Sequence, residues 1–456
     1  MKRNMPFLFL VLLSTTSLSA QQVFKYSADL TAITNDRLTV TMQVPPLKQA
    51  TVEFSFPKMI PGTYRIADYG KFVGDVRAFD KSGKALPVKK TGSNTWKISN
   101  ATSLSKITYT VEDIFDTEVK HNIYPMAATN FEPGNISLHT PGIFGFIEGY
   151  NQSAYEISMT KPASMYGATS MQPVSYSSTH ETYRAANLNE LYESPVMYTV
   201  PDTTSVTVGN AQVLVSVYSP GKLVRSKQIA EWMHDLLEAA RQYLGGRLPT
   251  DKYAFLFYFK DLSAKHSFPE NLMGALEHPA SSYYYLPDIP AEEMKSSIID
   301  IASHEFFHIV TPLTIASREV KQFNYTQPKM SQHLWLYEGS TEYTAHHVQV
   351  KYGLKTVNQF LEELSSKITV SRRMYDDKLP FTELSRHATD RHRAQYGNVY
   401  QKGALIAACL DLLLLDLSGG TYGFRNLTYD LGIRYGKDRF FEDDQLFDEI
   451  AALTWP

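Results

Sequence analysis

The spacing of apolar residues changes once along this chain, and that change limits the fold more than any other feature. From about residue 22 to residue 218, apolar and polar residues alternate. Leu38-Thr39-Val40-Thr41-Met42-Gln43-Val44, Val52-Glu53-Phe54-Ser55-Phe56, Ile107-Thr108-Tyr109-Thr110-Val111 and Tyr155-Glu156-Ile157-Ser158-Met159 are the clearest runs. A period of two turns one face of each segment to a core and the other to water. Pro61-Gly62, Ser82-Gly83 and Pro133-Gly134 mark turns between such runs, and no helical periodicity stands out here. A sandwich of antiparallel strands is therefore expected. Val213 to Val217 reads as its last strand and Ser219-Pro220-Gly221 as the boundary, which gives a β-sandwich domain over 21–219 and a second domain over 220–456.

Beyond Gly221 the period becomes helical. Leu223, Ile229, Trp232, Leu236, Ala240 and Tyr243 share a face until Gly245-Gly246 stops the run. Tyr253 to Phe259 (YAFLFYF) is a buried strand. A proline and two acids at Pro290-Ala291-Glu292-Glu293 open a further helix, expected to reach Val310 ahead of Pro312. Helical patterns follow at about 335–350, 355–375, 399–417 and 444–453. The fold class is thus multidomain α+β, with the β-sandwich followed by a mixed lobe and a helical lobe.

The first twenty residues stand outside that pattern. Lys2 and Arg3, the short apolar run Phe7 to Leu13 and the small residues ending in Leu18-Ser19-Ala20 have the order of a cleavable secretory signal. The expected location is therefore the periplasm or the extracellular space. No cysteine follows the signal to take a lipid, and no later apolar stretch is expected to reach the roughly 20 residues that span a bilayer. The one cysteine, Cys409, sits in the apolar run Ala404 to Leu415 and reads as a small core residue. With 44 Lys and Arg against 47 Asp and Glu, no basic excess exists to hold a nucleic acid.

Chemistry concentrates in His304-Glu305-Phe306-Phe307-His308. Two histidines four apart on a helix project from one face and reach one metal ion. Glu305 stands beside them, placed to take a proton from water without being a ligand. Ile298, Ile299, Ile301, Ala302, Ile309 and Val310 make this helix largely buried, and buried His and Glu need partners. A catalytic zinc site takes three protein ligands and keeps one position open. Glu338, in Leu334-Trp335-Leu336-Tyr337-Glu338-Gly339, is the best third ligand. His346 and His347 are rivals, although adjacent histidines point apart on a helix. Glu342, one turn beyond Glu338, could hold a ligating imidazole from behind. One Zn2+ per chain suits two imidazoles and a carboxylate.

This order of motifs resembles the gluzincin zinc peptidases, and within them the M61 glycyl aminopeptidase family, related to the M1 aminopeptidases. Gly274-Ala275-Leu276-Glu277-His278 is similar to the family's Gly-Gly-Leu-Glu-His segment. Tyr400-Gln401-Lys402-Gly403 is similar to the Tyr-x-Lys-Gly that carries its catalytic tyrosine. Ile60-Pro61-Gly62-Thr63-Tyr64-Arg65-Ile66 and Glu193-Ser194-Pro195-Val196 resemble parts of its β-rich N-terminal domain. The resemblance spans roughly residues 23 to 454 and implies a thermolysin-like catalytic domain. It implies Glu305 as general base, Tyr400 as donor to the developing oxyanion and Glu277 as the group that pairs with a free peptide amine. Gly274 and Ala275 are expected on a sheet edge where an extended peptide adds as a strand. His278 either orients Glu277 or packs.

Two departures stand out. The gap from His308 to Glu338 exceeds that of M1 enzymes, and its loop, Thr311 to Gln332, is expected to shape the cleft. Family members usually continue into a C-terminal PDZ domain, and none is expected within residues 220–456. The expected activity is removal of small N-terminal residues, Gly or Ala, from peptides with a free N-terminus. The same metal centre would also serve an endopeptidase, or a peptide-binding or chaperone module that has kept the fold without catalysis.

Overall fold

The computed structural model describes residues 22–265, 267–269 and 272–454. The segment read as a secretory signal, His266, Glu270, Asn271 and Trp455-Pro456 lie outside them. The alternating runs form strands with the expected faces. In Arg37–Gln43, Leu38, Val40 and Met42 are buried while Arg37, Thr39 and Gln43 are exposed. That strand belongs to an eight-stranded sheet, accompanied by two four-stranded sheets. The large sheet is antiparallel except where Val23–Asp29 runs parallel to Ala154–Thr160. Two short helices, Thr140–Ile143 and Leu188–Tyr192, interrupt what reads from sequence as unbroken β.

The strand expected to close the first unit belongs to the second. Thr203–Val208 and Ala211–Tyr218 form a hairpin, and Ala211–Tyr218 then pairs in parallel with Lys252–Lys260. The five-stranded sheet runs Thr203–Val208, Ala211–Tyr218, Lys252–Lys260, Ser281–Pro287, Gly274–His278. The change of sheet therefore falls near residue 200, not at 219. Local alternation could not show this, because a hairpin strand looks the same whichever sheet it joins.

The unbroken apolar run in Lys252–Lys260 has a physical cause. Ala254, Leu256 and Tyr258 pack into the core of the N-terminal unit, while Tyr253, Phe255, Phe257 and Phe259 pack under helices Ser226–Tyr243 and Ala291–Phe307. A strand covered on both faces loses alternation. Tyr283 and Tyr285 against Tyr284 and Leu286 repeat the division one strand over. Gly274–His278 is the edge strand, as expected, and Gly274 to Leu276 lie along the cleft.

The helical lobe contains Ser340–Lys351, Val357–Met374, Asn398–Leu417, Phe424–Tyr435 and Leu446–Thr454. Asn398–Leu417 meets the turn before Ser340 backbone to backbone. A Cβ on Gly339 would stand 2.4 Å from the carbonyl carbon of Gly403 and 2.5 Å from its Cα. Gly339→Ala is accordingly expected to cost about 1–3 kcal/mol through overpacking, read as a lower denaturant midpoint.

Asn398–Leu417 also corrects two expectations. Cys409 is exposed on its outer side, near the exposed Leu412 and Leu413, because only the inner side of this helix packs. The helix has 20 residues at mean hydropathy 1.3, so by length and composition one later stretch does reach bilayer dimensions. Its inner side, with Gly403, Ala404, Ala407 and Ala408, is buried in the lobe.

Candidate metal centre and peptide cleft

His304 and Glu305 lie in the last turn of helix Ala291–Phe307, and His308 closes that helix. It ends three residues before the expected Val310. Glu338 lies in a wide π turn, Trp335–Gly339, that runs into helix Ser340–Lys351. Such turns recur at functional sites because they re-aim a side chain without ending the helix. Ser303 Oγ donates to the carbonyl of Ala345 at 3.0 Å and pins the two helices together.

Three donor atoms converge. The Nε2 atoms of His304 and His308 are 3.1 Å apart and lie 3.5 and 3.6 Å from Glu338 Oε2. Donors about 2.0–2.2 Å from a tetrahedral ion stand roughly 3.3–3.6 Å from each other; the two sides to Glu338 fall in that range and the imidazole side is slightly shorter, so the triangle has the size to hold one zinc ion. Both imidazoles are oriented from behind. His304 Nδ1–H donates to Glu342 Oε2 at 2.7 Å, and His308 Nδ1–H donates to the Thr311 carbonyl at 2.9 Å. These partners leave the Nε2 lone pairs facing the centre. Glu342 is held in turn by Lys367 Nζ at 2.5 Å and His346 Nε2 at 3.3 Å. His346 therefore supports Glu342 and is not a ligand. His347 faces Tyr243.

The electrostatics of the centre follow from burial and from the charges that burial brings together. Burial pushes Glu305 up to about 8, with His304 opposing and Glu338 adding to the push. Burial, then Glu338 and Glu305, raise Glu277 well above the usual carboxylate range. Burial opposes charge on Glu338, yet His308, His304 and Tyr64 together hold it low. Burial lowers His308 to about 4, which keeps its imidazole neutral as a ligand must be. Burial also opposes charge on His304, but its bonds to Glu338 and Glu342 prevail and raise it. Glu305 Oε2 is buried with no hydrogen-bond partner among the described residues, and such an atom calls for an occupant.

The centre opens into a cleft of about 370 Å³. Gly274, Ala275 and Glu277 line it on one side, Tyr396 and Tyr400 on another. Donor atoms of Glu277, Glu305 and His308 lie within 4.8 Å of one another. The loop at Gly62, from the N-terminal unit, closes over Glu277: a Cβ on Gly62 would stand 2.6 and 2.7 Å from its two oxygens. Gly62 has φ +76, a conformation glycine adopts freely. The Tyr400 ring lies 5.6 Å from that of His304, and its hydroxyl is 2.8 Å from that of Tyr396.

His278 points away from Glu277, because neighbours on a strand face opposite sides. Its Nδ1 is 2.7 Å from Glu193 Oε2, a hydrogen-bond partner in the N-terminal unit. The loop Thr311 to Gln332 lines the cleft less than expected. Thr311 holds His308, while Tyr325 reaches the N-terminal unit, packing on Tyr192 at 4.9 Å and donating to Asn189 Oδ1 at 2.9 Å. Sequence reasoning missed Tyr64, Lys367 and Tyr396. Tyr64 lay within a motif read only as a mark of the β unit, and nothing local ties Lys367 to Glu342.

The fold and this buried His/His/Glu centre define a metallopeptidase. Two family models match, the peptidase M61 N-terminal domain over residues 25–200 and the M61 glycyl aminopeptidase over residues 297–406. The chain belongs to the M61 glycyl aminopeptidase family. Among solved structures it is similar to an aminopeptidase N family protein from Idiomarina loihiensis, with 19% identity and TM-score 0.80 over 93% of this chain and 73% of that one. It is also similar to an M1 zinc metallopeptidase mutant from Deinococcus radiodurans bound to a Tyr-Ser-Ala substrate, with 11% identity and TM-score 0.56 over 95% and 90%. A third is leukotriene A4 hydrolase from Saccharomyces cerevisiae, with 14% identity and TM-score 0.56 over 95% of this chain and 65% of that chain. No curated protein matches the sequence.

Proposed function

We propose that this metallopeptidase is an exported zinc aminopeptidase that removes small N-terminal residues, Gly or Ala, from peptides. The observation that carries the reading is the distance from Glu277 to the metal triad. The amine and the carbonyl carbon of one residue are only two bonds apart, about 2.5 Å. A carboxylate that holds the terminal ammonium within 4.8 Å of Glu305 and His308 donors therefore places the first peptide bond, and no later one, at the centre. The tight closure of the Gly62 loop over Glu277 supports a small first side chain.

His304, His308 and Glu338 would hold the zinc, which supplies Lewis acidity, acidifying a water toward pKa 7 and polarising the scissile carbonyl. Glu305 takes the proton of the attacking water and passes it to the leaving amine. The substrate backbone adds along Gly274-Ala275 at the sheet edge. Tyr400 donates its O–H to the carbonyl oxygen as negative charge develops there. Burial and Glu338 hold its phenol well above the usual range, so it stays protonated. Tyr400→Phe is expected to lower kcat by about 10²–10³-fold, with zinc content unchanged by metal analysis. Loss of zinc in that variant would reassign the residue to the metal.

The deciding experiment combines metal analysis with turnover of Gly-, Ala- and Leu-anilides, each with and without an N-acetyl block. One zinc per chain and turnover of free amines alone are expected. Equal cleavage of blocked peptides would make the enzyme an endopeptidase. Bound zinc without any hydrolysis would make it a binding module.

A further inference from the structure

We propose that Tyr64, carried by the N-terminal β unit, is a positioning residue for the metal centre: its phenol holds Glu338 Oε1, so that Glu338 presents Oε2 alone to the two imidazoles. The inference rests on the zinc reading above and adds to it a role for the β unit.

The two oxygens of Glu338 have separate partners. Tyr64 Oη donates to Oε1 at 2.8 Å, whereas the Nε2 atoms of His304 and His308 face Oε2 at 3.5 and 3.6 Å. An ionised carboxylate left to itself can offer both oxygens to a cation. A phenol fixed on one of them removes that choice and keeps a coordination position for water. The separation of 274 positions between Tyr64 and Glu338 along the chain means that the contact exists only because the two units are docked.

The loop that carries Tyr64 is built for that reach. Tyr64 has φ 46, in the left-handed region that a bulky residue rarely adopts. Strain of this kind persists where the surroundings over-determine it. Thr63 Oγ1 donates to the Ile60 carbonyl at 2.9 Å, and Ala67 N–H donates to the Lys58 carbonyl at 2.8 Å, closing the loop on both sides of the strained residue. The Tyr64 ring packs on Tyr396 with centroids 5.6 Å apart. Tyr396 touches Tyr400 and makes no hydrogen bond to Glu338, so it serves as a control.

The experiment measures zinc affinity of the full chain, Y64F and Y396F by competition with a chromogenic chelator, and records zinc X-ray absorption on the loaded wild type and Y64F. Partners behind a metal ligand are worth about 10–100-fold in affinity. Y64F is expected to bind zinc weaker by that factor and to show an added oxygen in the first shell, while Y396F keeps wild-type affinity. Wild-type zinc affinity in Y64F would overturn the proposal and leave the peptidase reading standing. Two Glu338 oxygens on zinc in the wild-type spectrum would also overturn it, a result that stands even if Y64F fails to fold. A wild-type chain that takes up no zinc would remove both.

Discussion

Glu305→Gln is expected to lower kcat by about 10²–10⁴-fold, the contribution of a positioned general base, while zinc content and fold stay as in the wild type. Gln has the same shape, so packing around the last turn of the helix survives. What disappears is the ability to accept a proton. The carboxylate suits that task because it is buried, close to the triad and outside it, and has one oxygen without a partner. Its proton affinity, raised to about 8 by burial, falls when a cation is bound beside it. The direction follows from charge alone: a nearby positive ion favours the ionised form. The measurement is steady-state turnover of Ala-anilide beside metal analysis of the same preparation. Retained turnover would give the base role to another group, and lost zinc would make Glu305 a ligand.

The second large effect is a change in discrimination. Glu277→Gln should reduce kcat/KM for free-amine peptides by about 10²-fold or more, since truncating one partner of a buried charge pair costs about 2–5 kcal/mol. Turnover of N-acetyl peptides should stay at its low wild-type level or rise. Glu277 is buried and flanked by Glu305 and Glu338, which raise its proton affinity after burial itself. An incoming ammonium therefore restores an ionised carboxylate as it binds. A uniform fall for blocked and unblocked peptides would mean that Glu277 holds the cleft together and does not read the amine.

How far the sequence carries depends on whether a feature is local. His304 and His308 are legible because one helical turn joins them, and Glu338 because its motif lies within reach of the same face. Glu342 follows from Glu338 by helical spacing, and its Oε2 lies 2.7 Å from His304 Nδ1. The edge position of Gly274–His278 is also met. Features that depend on docking are not legible. Tyr64 reaches Glu338 only across the unit boundary, and Lys367 reaches Glu342 only through the packing of two helices. The hairpin Thr203–Tyr218 alternates like its predecessors, and nothing in alternation names the sheet it will join. Cys409 fails for a related reason: an apolar run on a helix covers both sides, and the sequence does not say which side finds a neighbour.

The strand Lys252–Lys260, clad in aromatic and aliphatic side chains above and below, acts as a keel shared by both halves of the molecule. Cutting the chain at residue 220 would strip the hairpin that flanks that keel on one edge and bare Leu256, Tyr258, Tyr283 and Tyr285 to solvent. A liberated catalytic half would be sticky before it was active. For this architecture the smallest unit that can be made, mutated or inherited as a working hydrolase is therefore both halves at once.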